Sequence, residues 1–394
     1  MKFESIYKDN KPKLVRITTV PISLHKLLKG QMKFMGAYYD VVAVSGDSDI
    51  LRVVAANEGV EVKGLEMTRE ITPWKDIHSF WKMYRFFRKE NPFIVHTHTP
   101  KAGIVGMMAA WLARVPLRLH TVAGLPLMEA TGFKRHLLNF IERLTYSFAT
   151  KVYPNSYGLR DFIVKEKLCV EEKLQVIGYG SSNGIDTSYF DPDFITSEDK
   201  ETLRNILKID ETEFVFIFIG RLVKDKGINE LIDAFVKTST QKCKLLLVGP
   251  YENELDPLLP TTKQIIESNP DIITVGYQDD VRPFFSISDC LVFPSFREGF
   301  PNVVMQAGAM GLPSIVTNIN GCNEIIIEGE NGIIIPVKDV AALTKAMKYV
   351  LDNPVEVNRM ASNARQLIVN RYEQKVVWEA ILAEYKELEE KSQS

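Results

Sequence analysis

The feature that most constrains the fold is an alternation of short apolar runs with longer segments of helical spacing. Each run is rich in β-branched and aliphatic residues, and the segments between runs place apolar residues three or four positions apart. This alternation predicts a mostly parallel sheet with helices on both faces. In the first half the candidate strands are Leu14–Val20, Val41–Ser45, Ile94–Thr97, Leu117–Thr121 and Val152–Pro154. The candidate helices between them are Leu27–Met35, Trp74–Arg88, Lys101–Ala113 and Phe133–Ala149.

The same alternation restarts after residue 190, which predicts a second doubly wound domain. Its segments are Phe214–Ile219, Ile228–Val236, Leu245–Val248, Ile272–Val275, Leu291–Phe293, Val303–Met310 and Ser314–Val316. A chain of 394 residues has room for two domains of ~100–200 residues each. We expect one domain over residues 1–180 and a second over 185–374, with the glycine-rich stretch 178–184 as the hinge. A closing helix, about residues 375–394, could pack back on the first domain.

Charge is distributed unevenly along the chain. Residues 1–180 carry 27 Lys and Arg against 17 Asp and Glu, whereas the remainder carries 21 against 33. A basic half in a nearly neutral protein predicts an anionic partner, which could be nucleic acid, an anionic membrane surface or a phosphorylated substrate. No nucleic-acid reader motif is present and the basic residues are interleaved with acidic ones, so no nucleic-acid partner is expected.

Two stretches of the basic half are also aromatic. They are residues 74–89 and 133–153, and each has an apolar side with lysines and arginines around it. They read either as ordinary sheet-covering helices or as helices that dock on anionic lipid. Solvated surfaces whose charge differs by chance are the remaining interpretation of the asymmetry.

The cysteines and the N-terminus bear on the compartment. The four cysteines, at positions 169, 243, 290 and 322, match no metal or redox spacing. The first residues are polar and charged, and no apolar run approaches the ~18 residues of a membrane span. We therefore expect free thiols in a reducing cytoplasm.

The strongest candidate ligand site is the loop after the predicted strand Leu291–Phe293. It reads Arg297-Glu298-Gly299-Phe300-Pro301-Asn302 and leads into a helix that carries Gln306. Open α/β sheets bind ligands at such strand–loop–helix junctions. Pro301 suits a first helical turn, whose free N–H groups can donate to hydroxyls or an anion, and Glu298 adds an acceptor. Such a pocket suits a polyhydroxyl ligand attached to a phosphate.

A second loop follows the predicted strand Phe214–Ile219. Gly220 and Arg221 open this loop, and Lys226 lies just before the next predicted helix. A guanidinium, an ammonium and a helix N-terminus together make a cradle for a diphosphate. Solvated loop charges are the alternative for this segment alone.

Polar strand ends in the first half supply candidate contacts for a second substrate. These residues are Ser23, Lys29, Gly30, Gln31, His98, Lys101 and His120. The loop after the first strand lacks GxGxxG, so it has no dinucleotide fingerprint. His96 and His98 could instead be metal ligands, or one could be a buried structural histidine. No third ligand is near in sequence, and both DxD triplets, 47–49 and 191–193, lie in turn-like sequence, so no metal site is expected.

On these residues the chain resembles the retaining glycosyltransferases of family 4. Their GT-B fold has two Rossmann-like doubly wound domains that face each other across a cleft. The matching motifs are Asn183-Gly184-Ile185-Asp186, Gly220-Arg221, Lys226-Gly227, Glu298 to Asn302, Ala309-Met310-Gly311-Leu312-Pro313, and Asn320-Gly321 with Glu324. Three first-half motifs, Val20 to Ser23, Lys29-Gly30-Gln31 and His98 to Gly103, resemble members that build capsule and O-antigen intermediates on polyprenyl diphosphate.

The resemblance implies a retaining hexosyltransferase that moves a sugar from a nucleotide-sugar, taken to be a UDP-sugar, to a lipid-linked saccharide. It would act peripherally at the inner face of the cell membrane, and it would need neither a metal nor a cofactor, since the nucleotide-sugar is a substrate. Arg221 and Lys226 would hold the donor diphosphate, and Glu298 would bind sugar hydroxyls beside the 299–302 amides. A nucleotide-sugar epimerase on the same fold and a non-catalytic GT-B partner subunit are the alternatives.

The chain departs from the family pattern at two positions. Gln306 stands where the family has a second glutamate that would bind the ribose hydroxyls. A glutamine can accept from one hydroxyl and donate to another, so donor binding is expected to survive. Ala123 stands where many members carry a histidine, and His120, three residues earlier, need not point the same way because strand side chains alternate.

Overall fold

The chain forms two compact units of α/β structure. The computed structural model describes residues 11–68, 72–125, 127, 130–238, 242–252, 254 and 256–393. The first unit comprises Met1–Asn183 and Gln374–Ser394, and the second unit comprises Gly184–Glu373. Each unit is built on one six-stranded sheet whose described strand pairs are all parallel.

The sheet of the first unit is doubly wound. Its strands are β1 Lys13–Ile17, β2 Asp40–Ser45, β3 Glu61–Gly64, β4 Ile94–Thr97, β5 Leu117–Val122 and β6 Lys151–Pro154. Its helices are α1 Pro21–Leu27, α2 Gln31–Met35, α3 Asp49–Glu58, α4 Pro73–Glu90, α5 Pro100–Leu112, α6 Gly132–Phe148 and α7 Tyr157–Lys165. The strand order is β3-β2-β1-β4-β5-β6.

The second unit repeats this plan. Its strands are β7 Phe214–Ile219, β8 Cys243–Val248, β9 Ile272–Gly276, β10 Cys290–Phe293, β11 Ser314–Thr317 and β12 Gly332–Ile335. Its helices are α8 Ser197–Ile206, α9 Ile228–Thr238, α10 Pro260–Ser268, α11 Arg282–Ser286, α12 Asn302–Ala309, α13 Cys322–Ile325, α14 Val340–Asp352 and α15 Pro354–Tyr372. The strand order is β12-β11-β10-β7-β8-β9.

Each strand order reverses once, in the middle of the sheet. The reversal lies between β1 and β4 in the first unit and between β7 and β10 in the second. At such a switch point the connections leave in opposite directions, which opens a crevice outside the carboxyl ends of the two strands. The loops after these four strands are therefore the best-placed loops for binding a ligand.

The buried strands explain why the apolar runs fold as they do. Residues 215–218 of β7 are fully buried, as parallel strands covered on both faces require. Helix α5 is apolar nearly all round and has seven buried residues, because it packs between α4 and α6 as well as on the sheet. The long apolar cores of both units follow directly from these patterns.

The last helix, α16 (Gln374–Gln393), belongs to the first unit. Its residues Val377, Ile381 and Tyr385 are buried in a core with strands of the first sheet. Tyr153 Oη donates to the Glu384 carboxylate at 3.0 Å. Through these contacts the C-terminal helix α16 is part of the core of the N-terminal unit.

Several features of the fold differ from the sequence prediction. The predicted strands are present, most of them with shifted ends, but the strands β3 and β12 and the helices α3, α7, α8, α10, α11 and α13 were not predicted. The prediction of a single helix over Leu27–Met35 is wrong. The chain forms two helices, α1 and α2, with a break at Gly30, where φ is +80°. A side chain there would also clash, since a Cβ would lie 2.7 Å from the Trp378 ring.

Candidate active site

Two loops meet where β7 and β10 lie side by side in the second unit. Cys290 pairs with Phe216 and Leu291 pairs with Ile217, so the loops after both strands leave from one edge of the sheet. The loop at 220–227 carries the predicted cations, and the loop at 294–301 carries the predicted carboxylate. The switch point of the second unit is therefore where the predicted charged residues converge.

Lys226 and Glu298 form an ion pair at this point. Lys226 Nζ contacts Glu298 Oε1, and the same oxygen accepts a hydrogen bond of 2.9 Å from Ser295 Oγ. The two charged side chains are only 20% and 16% exposed. Lys226 Nζ also lies 5.4 Å from the centroid of the Phe293 ring. An ammonium and a carboxylate are thus held together at the carboxyl edge of the sheet, where open α/β sheets bind ligands.

A tight turn places Lys226 there. Lys224–Lys226 form a 3-10 turn, and Gly227 follows it with φ +71°. A Cβ on Gly227 would lie 2.1 Å from the carbonyl oxygen of Pro294, so only glycine allows this approach of the two loops. Helix α9 begins at the next residue, which directs its free N–H groups toward the same edge.

Arg221 lies at the same edge but has a different partner. Its guanidinium forms an ion pair with Glu252, which belongs to the loop after β8. The Arg221 side chain is 55% exposed, more than twice the exposure of Lys226. Gly220, one residue earlier, donates its N–H to the carbonyl of Val248 at 2.9 Å, which fixes the start of the loop on β8.

The Glu298 loop runs into α12 as the sequence predicts, with one shift. Pro301 is the residue before the helix and has extended backbone angles, so α12 starts at Asn302. The Phe300 ring packs on Tyr372 with centroids 5.4 Å apart. Gly299 is half-buried, Asn302 is exposed, and Gln306, one turn later, is half-buried.

Sequence reasoning missed the side chains that hold these loops together. Asp225, directly before the predicted Lys226, pairs with Arg297 at 2.5 Å. Ser295, fully buried, supports Glu298 as described above. A signal was available for Ser295, since a hydroxyl three residues before a carboxylate in a tight loop can reach it. Glu252 carried no such signal, because it is distant in sequence from Arg221.

In the first unit, Gly30 and Gln31 are engaged in internal packing. Gln31 is fully buried, and its amide donates to the carbonyl of Ser182 at 2.9 Å and to Asn183 Oδ1 at 3.0 Å. Gly30 donates its N–H to the Glu58 carboxylate at 2.7 Å. Lys29 is exposed, and its carbonyl accepts from the Asn183 side chain. This segment ties the crossover near residue 183 to the first unit.

Three histidines surround the end of β4. His96 contacts Tyr385 Oη and Arg16 Nη1 through Nδ1 and Thr121 Oγ1 through Nε2, so both of its ring nitrogens are used by the protein. His98 stacks on His96 with centroids 4.2 Å apart. Burial lowers the pKa of both histidines well below the ordinary value. Both rings are therefore neutral at pH 7, and His96 is a structural histidine.

His98 differs from the other two histidines in its hydrogen bonding. His120 Nδ1 is 2.7 Å from Thr97 Oγ1, and burial lowers its pKa to about 4. Both ring nitrogens of His98 are buried without a hydrogen-bond partner in the described part of the chain. A buried polar atom without a partner is costly, and such atoms often serve a ligand.

The other two predicted contacts of the first unit are less available. Lys101 Nζ lies 2.5 Å from the Asp76 carboxylate, and its side chain is only 10% exposed. Ser23 lies half-buried within α1, where its N–H donates to the carbonyl of Val20 at 3.0 Å. Within the described ranges, no group of three or more His, Cys, Asp or Glu side chains could hold a metal ion.

Two family descriptions match most of the chain between them. "Glycosyl transferases group 1" matches residues 199–367, which lie in the second unit. "Glycosyl transferase 4-like domain" matches residues 32–180, which lie in the first unit.

Known proteins match over nearly the same span. The chain is 33% identical over 376 residues to the capsular polysaccharide biosynthesis glycosyltransferase CapM of Staphylococcus aureus, covering 95% of this chain and 96% of CapM. It is 30% identical over 316 residues to the UDP-Gal:α-D-GlcNAc-diphosphoundecaprenol α-1,3-galactosyltransferase of Escherichia coli, covering 78% of each. Anabaena HepE, solved in complex with UDP, superposes with a TM-score of 0.80 at 18% identity, covering 96% of this chain and all of HepE.

Proposed function

This chain belongs to the GT-B glycosyltransferase family that its motifs resemble, and from that premise we propose that it moves a sugar from a UDP-sugar to a lipid-linked saccharide. Its membership follows from relatives that match almost its whole length. The nature of the donor, the acceptor, the stereochemical course and the place of action are the parts that we propose.

The observation that carries the proposal is the Lys226–Glu298 pair at the switch point of the second unit. We assign the donor diphosphate to Lys226 and Arg221, because both cations lie at the carboxyl edge beside the start of α9. We assign the donor sugar to Glu298, whose carboxylate can accept from hydroxyls. Gln306, one turn into α12, is assigned to the ribose. HepE was solved with UDP, which supports a uridine diphosphate donor.

The reaction that suits this arrangement retains the configuration of the sugar and uses no metal. The acceptor oxygen would form a bond to the anomeric carbon from the side on which the diphosphate leaves. The bond between that carbon and the phosphate oxygen would break, and the acceptor proton would pass to the departing oxygen. Lys226 and Arg221 would stabilise the charge that develops there, so the protein contributes positioning and electrostatics.

The proposed acceptor is a saccharide on a polyprenyl diphosphate. The names of the two relatives support this, since one acts in capsule synthesis and the other on a GlcNAc-diphosphoundecaprenol. In the first unit, His98 is the best-placed contact, because its buried nitrogens need partners and a neutral imidazole can both donate and accept. We propose that His98 binds an acceptor hydroxyl or phosphate oxygen.

An exposed apolar surface on the first unit supports action at a membrane. Trp74, Ile77 and Trp81 lie along one side of α4 at helical spacing, with exposures of 86%, 49% and 48%. Phe133 and Phe140 form a similar exposed side on α6. Both helices flank α5, and basic residues such as Lys75, Lys82, Arg85 and Lys134 are exposed among these side chains.

Such a surface suits the headgroup region of an anionic bilayer. The described helices include none that is long and apolar enough to cross a membrane. We propose peripheral attachment at the inner face, with α4 and α6 against the lipid. Flotation with phosphatidylserine vesicles tests this: binding should fall in the double variant Trp81→Ser/Phe133→Ser, and unchanged binding would contradict it. The control is the double variant Val355→Ser/Ile206→Ser in the second unit, since both of these apolar side chains are also exposed.

The donor is tested by a thermal-shift screen of UDP, GDP, ADP and CMP with their common sugars. A ligand that binds only the folded protein raises its melting temperature by mass action, so UDP and one UDP-sugar should give the largest shifts. Transfer of a labelled sugar from that donor to a butanol-extractable lipid then tests the acceptor. Release of free UDP without any acceptor would favour an epimerase, and binding without turnover would favour a non-catalytic subunit.

A further inference from the structure

Asp225 makes contacts with both of the loops that face it, the one after β10 and the one after β8. Its carboxylate pairs with Arg297 at 2.5 Å, and its carbonyl accepts from the N–H of Phe296 at 2.9 Å. Its own N–H donates to Asp256 Oδ2 at 2.7 Å. Asp256 belongs to the segment after β8, so one residue connects the loops that follow β7, β8 and β10.

Asp225 and Arg297 are the sequence neighbours of the two charged residues of the proposed donor site. Asp225 immediately precedes Lys226, and Arg297 immediately precedes Glu298. The Asp225–Arg297 pair therefore lies one residue away, on both loops, from the Lys226–Glu298 pair. Both ion pairs connect the same two loops. The Asp225–Arg297 pair, called the outer pair below, therefore limits how far Lys226 and Glu298 can separate.

The outer pair is too exposed to be a major source of stability. Its side chains are 47% and 40% exposed, and exposed ion pairs contribute little to folding. Its geometry, by contrast, is well defined, because both backbone groups of Asp225 are hydrogen-bonded to neighbouring loops. A defined but weakly stabilising contact beside reactive groups is typical of a residue that sets a position.

We propose that Asp225 and Arg297, with Asp256 as anchor, form a positioning clasp that keeps Lys226 at the correct distance from Glu298 during sugar transfer. This inference rests on the proposed function of the Lys226–Glu298 pair. In this role the clasp acts on the positions of Lys226 and Glu298 and not on the substrate itself. It holds the ammonium where the leaving diphosphate develops charge, while the carboxylate faces the sugar.

The experiment compares Asp225→Ala, Arg297→Ala and the double variant with a matched control. The control is Glu356→Ala, which breaks the Glu356–Arg359 pair on α15, whose exposures of 40% and 49% are almost the same as those of the clasp. Each clasp single variant should lower kcat by ~10–100-fold, the order expected for misplacement by about 1 Å, with the donor KM within about threefold. The melting temperature and the control should change little.

The double variant separates a clasp from two independent effects. If the two residues act only through each other, removing both costs no more than removing one, so kcat of the double variant should equal that of either single variant. Effects that multiply would overturn the proposal. A rise in KM with unchanged kcat would also overturn it, because that result would mean ordinary donor binding.

Crystal structures of the variants test the clasp independently of their transferase activity. In a crystal structure of Asp225→Ala the contact between Lys226 Nζ and Glu298 Oε1 should be lost, whereas it should persist in Glu356→Ala. A retained contact in Asp225→Ala would overturn the clasp. Wild-type protein that transfers no sugar from any UDP-sugar would contradict the proposed function instead, and the crystal structures would then decide the clasp alone.

Discussion

Replacing Gly227 with alanine tests whether the approach of the two loops builds the site. Gly227 has φ +71°, and a Cβ there would lie 2.1 Å from the carbonyl oxygen of Pro294. Real Cβ contacts are longer than 3.0 Å, so the two loops must move apart. Gly329 is a matched control, because it has φ +73° and nothing within 4 Å of its Cβ position.

The loss of folding stability in Gly227→Ala has one part that Gly329→Ala shares and one part that is specific to Gly227. The left-handed backbone costs an alanine ~1–2 kcal/mol at either position. Overpacking against Pro294 adds ~1–3 kcal/mol at Gly227 only. For a domain of this size ~1 kcal/mol lowers the melting temperature by ~2–4 °C. We expect Gly227→Ala to melt about 2–12 °C below Gly329→Ala by scanning calorimetry, given these costs.

The same displacement should weaken donor binding. Moving the 220–227 loop away from β10 separates Lys226 from Glu298, so Gly227→Ala should lose affinity for UDP in titration calorimetry, whereas Gly329→Ala should bind normally. Equal melting temperatures and equal affinities for the two variants would refute the idea that the close contact at Pro294 holds the loop in place.

Three further predictions concern charge and burial. Arg221→Ala should weaken UDP binding by ~10-fold, while Glu252→Gln, which frees Arg221 from its present partner, should not weaken it, both by calorimetry. Burial lowers the pKa of His120 from 6.5 to about 4, so as the pH falls below 6.5 the unfolded state takes up the proton first and His120 removes about 3 kcal/mol of stability by pH 4. His96 and His98 act in the same direction, so His120→Gln should reduce the pH slope in denaturation curves by this share and leave the rest. Tyr385→Phe removes a buried partner of Arg16 and should cost ~1–3 kcal/mol in urea unfolding, whereas Tyr349→Phe, at an exposed position, should cost almost nothing; a Tyr385→Phe variant as stable as wild type would contradict this role.

The sequence predicted the continuously apolar strands of both sheets and missed two edge strands, β3 and β12, although β9, also at an edge, was predicted. β7 and β10 are continuous apolar runs, and both were predicted. β3 reads Glu61-Val-Lys-Gly64 and is a mostly exposed edge strand, so it carries no apolar pattern. Edge strands take their structure from the neighbouring strand, and that information is not local.

For the site, the sequence predicted the residue types and the sheet edge but not the partners. Gly/Pro loops after buried strands indicated candidate ligand-binding ends, which is why Lys226 and Glu298 could be named as candidate site residues. That they contact each other depends on β7 lying next to β10, which the order of the chain does not reveal. Lys101 is a similar case: the sequence predicts it as a substrate contact, and its ion pair with Asp76 on α4 could not be read from the sequence.

The break at Gly30 illustrates the same limit. The apolar spacing over Leu27–Met35 is helical, and it favours one helix when read alone. The chain turns there because Trp378, almost 350 residues later, occupies the space in which a side chain would lie. A contact with α16 thus overrides the local pattern.

Glu298 and Lys226 are proposed to form the donor end of a sugar-transfer site. The most direct test is transfer of a labelled sugar from the preferred UDP-sugar to lipid by wild type and by Glu298→Gln, which keeps the shape of the side chain and removes its charge. We predict a loss of ~100-fold or more in kcat, as for removal of a group that acts on the transition state, while UDP still raises the melting temperature. Transfer by Glu298→Gln at the wild-type rate would contradict the account.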